Sequence, residues 1–360
     1  MYDGVSATSG TQPVVVVTGA SAGVGRAVAV AFARRGWSVG LIARGRDRLE
    51  SASREVERAG GRAVVLQADV SDAEALEAAA AQVVRAFGRI DFWVNSAMVT
   101  VYAPVAAISP EEVKRVTEVT YLGQVYGTLA ALQHMRRRNR GTIVQIGSAL
   151  AYRSIPLQSA YCAAKAAVRG FTDSLRSELL HERSRIRLTM VQLPAVNTPQ
   201  FDWARSHLPQ RLQPVPPIHN PVPVAEAIVR AAIEAPRELW VGGPTIQAVL
   251  GNMAAPRVLD RLMARRAWTG QMTGEAAYPR PDNLFEAPAG DPGAEGRFGE
   301  QSRSRVFSIS ETSARILIAA FALSSAAGLT ALGYRFGVDR RRHAPTRRLP
   351  EREQAARLVG

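Results

Sequence analysis

Four valines run into a glycine-rich turn and then into an Ala/Val-rich helix: VVVV (Val14 to Val17), TGASAGVG (Thr18 to Gly25) and a helical period reaching Arg35. No other stretch constrains the fold as much. An apolar run without polar alternation reads as a strand buried on both faces. A helix starting directly behind it puts its N-terminus at the strand's carboxyl end. There the first N–H groups and the helix dipole point at any anion resting on the turn. Gly19 lets the chain turn, Gly23 lets backbone approach a pyrophosphate, and Gly25 allows close helix–strand packing. The expected ligand is a dinucleotide; with no G-K-[ST] at the turn, a nucleoside triphosphatase is not expected.

The same rhythm continues. Further strands are predicted over 37–43, 63–68, 90–94, 142–147, 186–193 and 238–242, separated by helices over 72–87, 110–137, 159–182 and 224–235 and an Arg/Glu-rich helix ending at Ala59. Buried strands alternating with helices of this length imply an α/β fold: a doubly wound, seven-stranded parallel sheet (Rossmann-like) with right-handed crossovers and a C-terminal helical extension. The expected partition is a flexible N-terminus (1–12), a nucleotide-binding domain (13–245), a helical extension (246–270), a Pro/Gly-rich linker (271–312), a hydrophobic helix (313–335) and a basic tail (336–360). The Pro-rich excursion 197–223 is long for a simple connection and reads as a lid.

Charge needs care. The chain has 45 Lys and Arg against 31 Asp and Glu, a net +14. The surplus is mostly Arg and is dense near the end, in RRRH (Arg340 to His343) and TRR (Thr346 to Arg348). No basic-aromatic module accompanies it, so nucleic acid is not an expected partner. Ahead of that cluster, Ile316 to Gly333 is 18 residues without a charge, bracketed by Arg315 and Arg335. As a helix it would measure about 27 Å, against roughly 30 Å of bilayer hydrocarbon. It is a candidate membrane span or anchor, with a buried or oligomer-forming helix as the alternative. The single Cys162 cannot form an intrachain disulfide, which fits a reducing compartment and a cytoplasmic catalytic domain. The five His have no metal-ligand spacing, so no metal is expected, and MYDGVSATSGTQ lacks the features of a signal peptide.

YCAAK, Tyr161 to Lys165, sets a phenol and an ammonium on one helix face. A neighbouring ammonium favours the phenolate and is expected to lower the Tyr161 pKa toward a useful range. At the end of the second strand stands Arg44, with no carboxylate before Asp47. Arg44 can pair with a 2′-phosphate, so NADP is expected over NAD.

TGASAGVG, NSA (Asn95 to Ala97), IGS ending at Ser148 and YCAAK thirteen residues later together resemble the short-chain dehydrogenase/reductase family, in its compact type, over about residues 12 to 245. The resemblance implies that Tyr161 is the general acid of carbonyl reduction, that Lys165 supplies charge and binds the nicotinamide ribose, and that Ser148 holds the substrate carbonyl oxygen. It also implies a cofactor site built from Thr18, Gly19, Ser21, Ala22, Gly23, Val24, Gly25, Arg44, Asp69, Val70, Asn95, Ala97, Val196 and Thr198. Three departures stand out. VTYLG places Thr120 where the family usually has a proton-relay Asn, NSAM places Met98 where a Gly is usual, and Pro194-Ala195 replaces Pro-Gly. The implied activity is NADP(H)-dependent interconversion of an apolar ketone or aldehyde with its alcohol, in a homodimer or homotetramer. The alternative is a cofactor-binding sensor or scaffold with little turnover.

Overall fold

The computed structural model describes residues 12–320. The chain divides into a unit ending at Glu311 and a second unit from Thr312, whose described residues are helical. Most of the segment 316–333, read above as a candidate membrane span, lies outside the described residues. Among those described, no helix is long and apolar enough to cross a membrane.

The first unit is built on an eight-stranded sheet. Its strands are β1 (Val14–Thr18), β2 (Ser38–Ala43), β3 (Arg62–Gln67), β4 (Phe92–Asn95), β5 (Gly141–Ser148), β6 (Ile186–Leu193), β7 (Glu238–Val241) and β8 (Ser308–Ser310). They lie in the order β8-β7-β6-β5-β4-β1-β2-β3. The first seven are parallel, as expected. β8 was not foreseen: three residues from beyond the predicted domain pair antiparallel with β7.

Strand burial explains why the valine run has no polar alternation. Every residue of β1, β2 and β5 is buried. Successive β1 side chains point to opposite faces. Val15 and Val17 join one core with α1 (Gly23–Ala33), α2 (Arg46–Arg58) and α7 (Pro221–Glu234). Val14 and Val16 join the other with α3 (Ala73–Phe87), α4 (Pro110–Thr117), α5 (Gly123–Arg136) and α6 (Ser159–His181). α3 and α4 are capped by side chains. Asp72 accepts from the Ala75 N–H, and Ser109 with Glu112 forms a reciprocal capping box. α1 has no side-chain cap, which leaves its first N–H groups to other acceptors. The helix predicted over 110–137 is interrupted by a π turn at Glu118–Leu122, between α4 and α5.

The stretch 271–312, expected to be a Pro/Gly-rich linker, contributes buried residues. Leu284 is fully buried in the second core, and Phe298 packs with Tyr102, Phe201 and Leu212 in a third cluster. The 197–223 excursion is tied into the same cluster through Phe201, Leu208, Leu212 and Ile218. Past β7, a helix over Gly243–Ala254 and another over Pro256–Leu262 make the expected extension.

Beneath the sheet's carboxyl edge, Asn95 is a fully buried junction. It accepts from Trp93 Nε1 at 2.8 Å and donates to Gln124 O at 3.2 Å, Thr128 Oγ1 at 3.1 Å and Gln145 Oε1 at 2.9 Å. Gly127 of α5 makes room for it, since a Cβ there would fall 2.2 Å from Asn95 Oδ1. Gly127→Ala is therefore expected to destabilise the protein by about 1–3 kcal/mol through overpacking. Urea denaturation checks this; an unchanged midpoint would contradict the tight junction.

Candidate active site

β1 and β4 are neighbours whose onward connections run to opposite sides of the sheet, and a crevice opens at their carboxyl ends. Two sequence motifs meet there. Thr18 Oγ1 accepts from the Ser96 and Ala97 N–H groups at 3.0 and 3.2 Å, joining the glycine turn to NSA. Gly19 has φ +69°, and a Cβ on it would come within 2.8 Å of Ala97 Cα. A Cβ on Gly25 would lie 2.3 Å from the Gly19 carbonyl oxygen, so α1 is pressed onto its own turn.

Two cavities lie along the crevice. One, of about 180 Å³, is lined by Gly19, Ser21, Ala22, Gly23, Val24, Gly25, Arg44, Asp69, Val70, Ala97 and Thr198. The other, of about 560 Å³, contains Ser148, Tyr161, Lys165, Val196 and Thr198. Both linings include Val24, Ser96, Met98, Thr198 and Gln200, so one groove connects the glycine turn with the Tyr–Lys pair. Met98, the departure within NSAM, stands at that junction. Thr18 and Asn95 sit behind the wall and act on its shape.

The Ser148 hydroxyl accepts from the Leu150 N–H at 3.1 Å, and the Tyr161 phenol lines the same cavity. Lys165, 1% exposed, donates from Nζ to the Ile146 carbonyl at 2.6 Å, and its Nζ lies 5.7 Å from the Tyr161 ring centroid. The expected depression of the Tyr161 pKa is not what this arrangement gives. Enclosure in the cavity pushes the phenol above its ordinary value, with the nearby Ser148 hydroxyl pulling the other way. Burial instead lowers Lys165 to about 7.

Thr120 is not brought into this group. Its hydroxyl donates to Val99 O at 2.8 Å and accepts from Val99 N at 3.0 Å, and it lines neither cavity. A side chain so short, with both hydrogen-bonding roles taken by backbone, cannot reach the Tyr–Lys pair. Gln124, one turn further on, was missed. Its Nε2 donates at 3.1 Å to Ile146 O, the carbonyl that also holds Lys165, and its buried Oε1 has no hydrogen-bond partner. Spacing of four from Thr120 was the available signal, but it points to the same carbonyl only once the π turn is known.

Arg44 and Asp69 face the smaller cavity with their charges engaged. Arg44 donates to backbone carbonyls of residues 283–285, while Asp69 pairs with Arg115 and accepts from Ser71. Among the described residues, no three His, Cys, Asp or Glu side chains gather as metal ligands would.

A profile of the family described as short chain dehydrogenase matches residues 13–208, more than half of the chain. The chain belongs to this family. Relatives extend the match beyond that segment. The uncharacterized oxidoreductase YxnA of Bacillus subtilis is 33% identical over 77% of this chain and 79% of its own. A fatty acyl-CoA reductase of Acinetobacter baylyi is 29% identical over 63% of this chain and 75% of its own. Among solved structures, an alcohol dehydrogenase from the archaeon Thermococcus sibiricus, complexed with 5-hydroxy-NADP, superposes with a TM-score of 0.55 at 29% identity, covering 64% of this chain and 95% of that one. Short-chain dehydrogenases are oxidoreductases that use a nicotinamide cofactor, and the uncapped α1 and its glycine turn suit a dinucleotide phosphate.

The buried Lys165 sets a testable pH signature. Below about 7 both folded and unfolded chains carry its charge, so burying the cation costs folding its full amount. Between about 7 and 10.5 only the unfolded chain holds the proton, so stability contributed here rises with pH across that window. Lys165→Met is expected to raise the thermal midpoint of the ligand-free protein, most below pH 7, with the gain fading toward pH 10. A gain independent of pH would contradict the burial.

Proposed function

We propose that the protein is an NADP(H)-dependent oxidoreductase that interconverts an apolar ketone or aldehyde with the corresponding alcohol. The observation that carries this reading is that Ser148, Tyr161 and Lys165 line one large cavity, which joins the glycine-turn groove. When bound, the nicotinamide supplies or receives the hydride. The protein's own residues handle the proton. The Tyr161 phenol gives its hydrogen to the carbonyl oxygen as negative charge develops there, and Ser148 holds that oxygen. Lys165 stands close enough to stabilise the phenolate left behind, and its value near 7 lets it accept or return a proton at neutral pH.

Preference for NADP rests on charge. Arg44 and Arg48 both line the smaller cavity. The one acid among the described residues of that lining, Asp69, is paired with Arg115. A 2′-phosphate would meet guanidinium donors rather than an acid. The neighbour from Thermococcus sibiricus, complexed with an NADP derivative, supports the same choice.

The larger cavity supports an apolar substrate class. Leu150, Ile155, Phe201, Val215 and Leu262 line it, while two of its polar members, Gln158 and Gln271, are paired to each other at 2.7 Å. At about 560 Å³ it falls within the range of small-molecule sites. A relative named as a fatty acyl-CoA reductase is consistent with an apolar carbonyl compound. A homodimer or homotetramer is part of this reading; Leu129 of α5 and Leu180 of α6 are more than half exposed and offer an apolar face.

Tyr161→Phe keeps the ring and removes the transferable hydrogen. It is expected to lower kcat on a panel of apolar ketones and aldehydes by at least about 10²-fold. NADPH affinity, read by fluorescence titration, should stay within about twofold. Turnover that survives the substitution would overturn the assignment, and absence of turnover by the wild type across the panel would favour a sensor.

A further inference from the structure

Residues 283–293 cross the smaller cavity's side of the groove and take up donors that a dinucleotide phosphate would use. Arg44 donates from Nη1 to Phe285 O at 2.7 Å and Leu284 O at 3.3 Å, and from Nη2 to Asn283 O at 2.6 Å. Arg48 donates from Nε to Gly290 O at 2.7 Å and from Nη2 to Ala289 O at 3.0 Å. The Gly23 N–H, at the uncapped start of α1, donates to Gly293 O at 3.1 Å. Five arginine donations and one backbone donation thus end on neutral carbonyls.

The segment is fastened at both ends. On one side Leu284 is fully buried, its carbonyl accepts from Arg115 Nε at 3.0 Å, and the Asn283 N–H donates to Trp203 O at 2.9 Å. On the other, the Asp291 carboxylate is clasped by Arg26 and by the Ser51 hydroxyl. Arg26 is 1% exposed and is itself fixed by Glu55, so the clasp closes onto a rigid cation. Between these ends Ala287 and Pro288 wall the cavity and hold it to about 180 Å³. That is below the roughly 300 Å³ at which small-molecule sites begin.

We propose that residues 283–293 form a strap that competes with the dinucleotide for Arg44, Arg48 and the Gly23 N–H, so that cofactor binding requires the Asp291 clasp on Arg26 and Ser51 to open. The proposal rests on the NADP reading given above and adds its regulation. Phosphate oxygens are stronger acceptors for guanidinium than carbonyls, so exchange of partners favours the cofactor once the strap has moved. While it is closed, the apparent affinity is reduced in proportion to the fraction of molecules competent to bind. Asp291 is the natural release point, because it is the strap's only carboxylate among the contacts that hold it to α1 and α2.

The test uses the full chain and its Asp291→Asn variant, with NADPH as the probe. Two readouts are taken: NADPH affinity by fluorescence titration, and hydrogen–deuterium exchange at 283–296 with and without NADPH. The strap predicts that NADPH speeds exchange at 283–296 in the wild type. It also predicts that Asp291→Asn speeds it without NADPH and tightens NADPH binding by about tenfold. NADPH that slows exchange there, with weaker binding by the variant, would overturn the proposal and make the segment a wall of the cofactor site. Measurable binding with exchange and affinity unchanged by either perturbation would overturn the strap alone. If neither protein binds NADPH, the cofactor reading fails and the strap with it.

Discussion

The contact on which the rest depends is the seat of α1 on its own turn, where a Cβ at Gly25 would overlap the Gly19 carbonyl and a Cβ at Gly19 would strike Ala97. With no side chains at those two positions, the end of β1, the start of α1 and the end of β4 come within backbone contact of each other. Thr18 then bonds the Ser96 and Ala97 N–H groups, so the floor of the groove is made of main chain rather than of mobile side chains. The parallel register carries that floor across to β5, where Ser148 ends the strand opposite Leu193 of β6. α6 returns over the same edge and delivers Tyr161 and Lys165 to it.

Electrostatics in the groove are set mainly by enclosure. A phenol and an amine enclosed together are each pushed toward the neutral form, Tyr161 upward and Lys165 down to about 7. The pair is therefore poised to exchange a proton rather than to hold two opposite charges. Ile146 O links this pair to Gln124, and Gln124 O links it to Asn95 and Thr128. A buried polar network of this kind fixes geometry because each unpaired member would be costly. At the other end of the groove the charges are exposed to exchange instead: Arg44 and Arg48 are satisfied by carbonyls that a phosphate could replace.

What could be read from the sequence follows from the range of the interactions. β1, the glycine turn and α6 are specified by residues adjacent in the chain, and their limits in the structure differ from those expected by a residue or two. The Tyr–Lys pair was visible because a single helix sets its spacing. β8 was not visible, since three residues, Ser308–Ser310, carry no periodicity and acquire their conformation only by pairing with β7. The segment 283–293 was hidden for the same reason. Its Pro and Gly residues bury little by themselves, and its role comes from arginines about 240 positions earlier in the chain. Thr120 was placed by analogy of position; the π turn and the Val99 backbone decide where its hydroxyl goes.

The account's centre is that one groove brings a hydride donor and the Tyr161 proton to the same carbonyl. Turnover of an apolar ketone with NADPH deuterated at the nicotinamide C4 tests this most directly. The account predicts deuterium on the carbinol carbon of the alcohol, with the hydroxyl hydrogen drawn from solvent through the protein. Deuterium lost to water, or a carbinol carbon labelled from solvent instead, would contradict it.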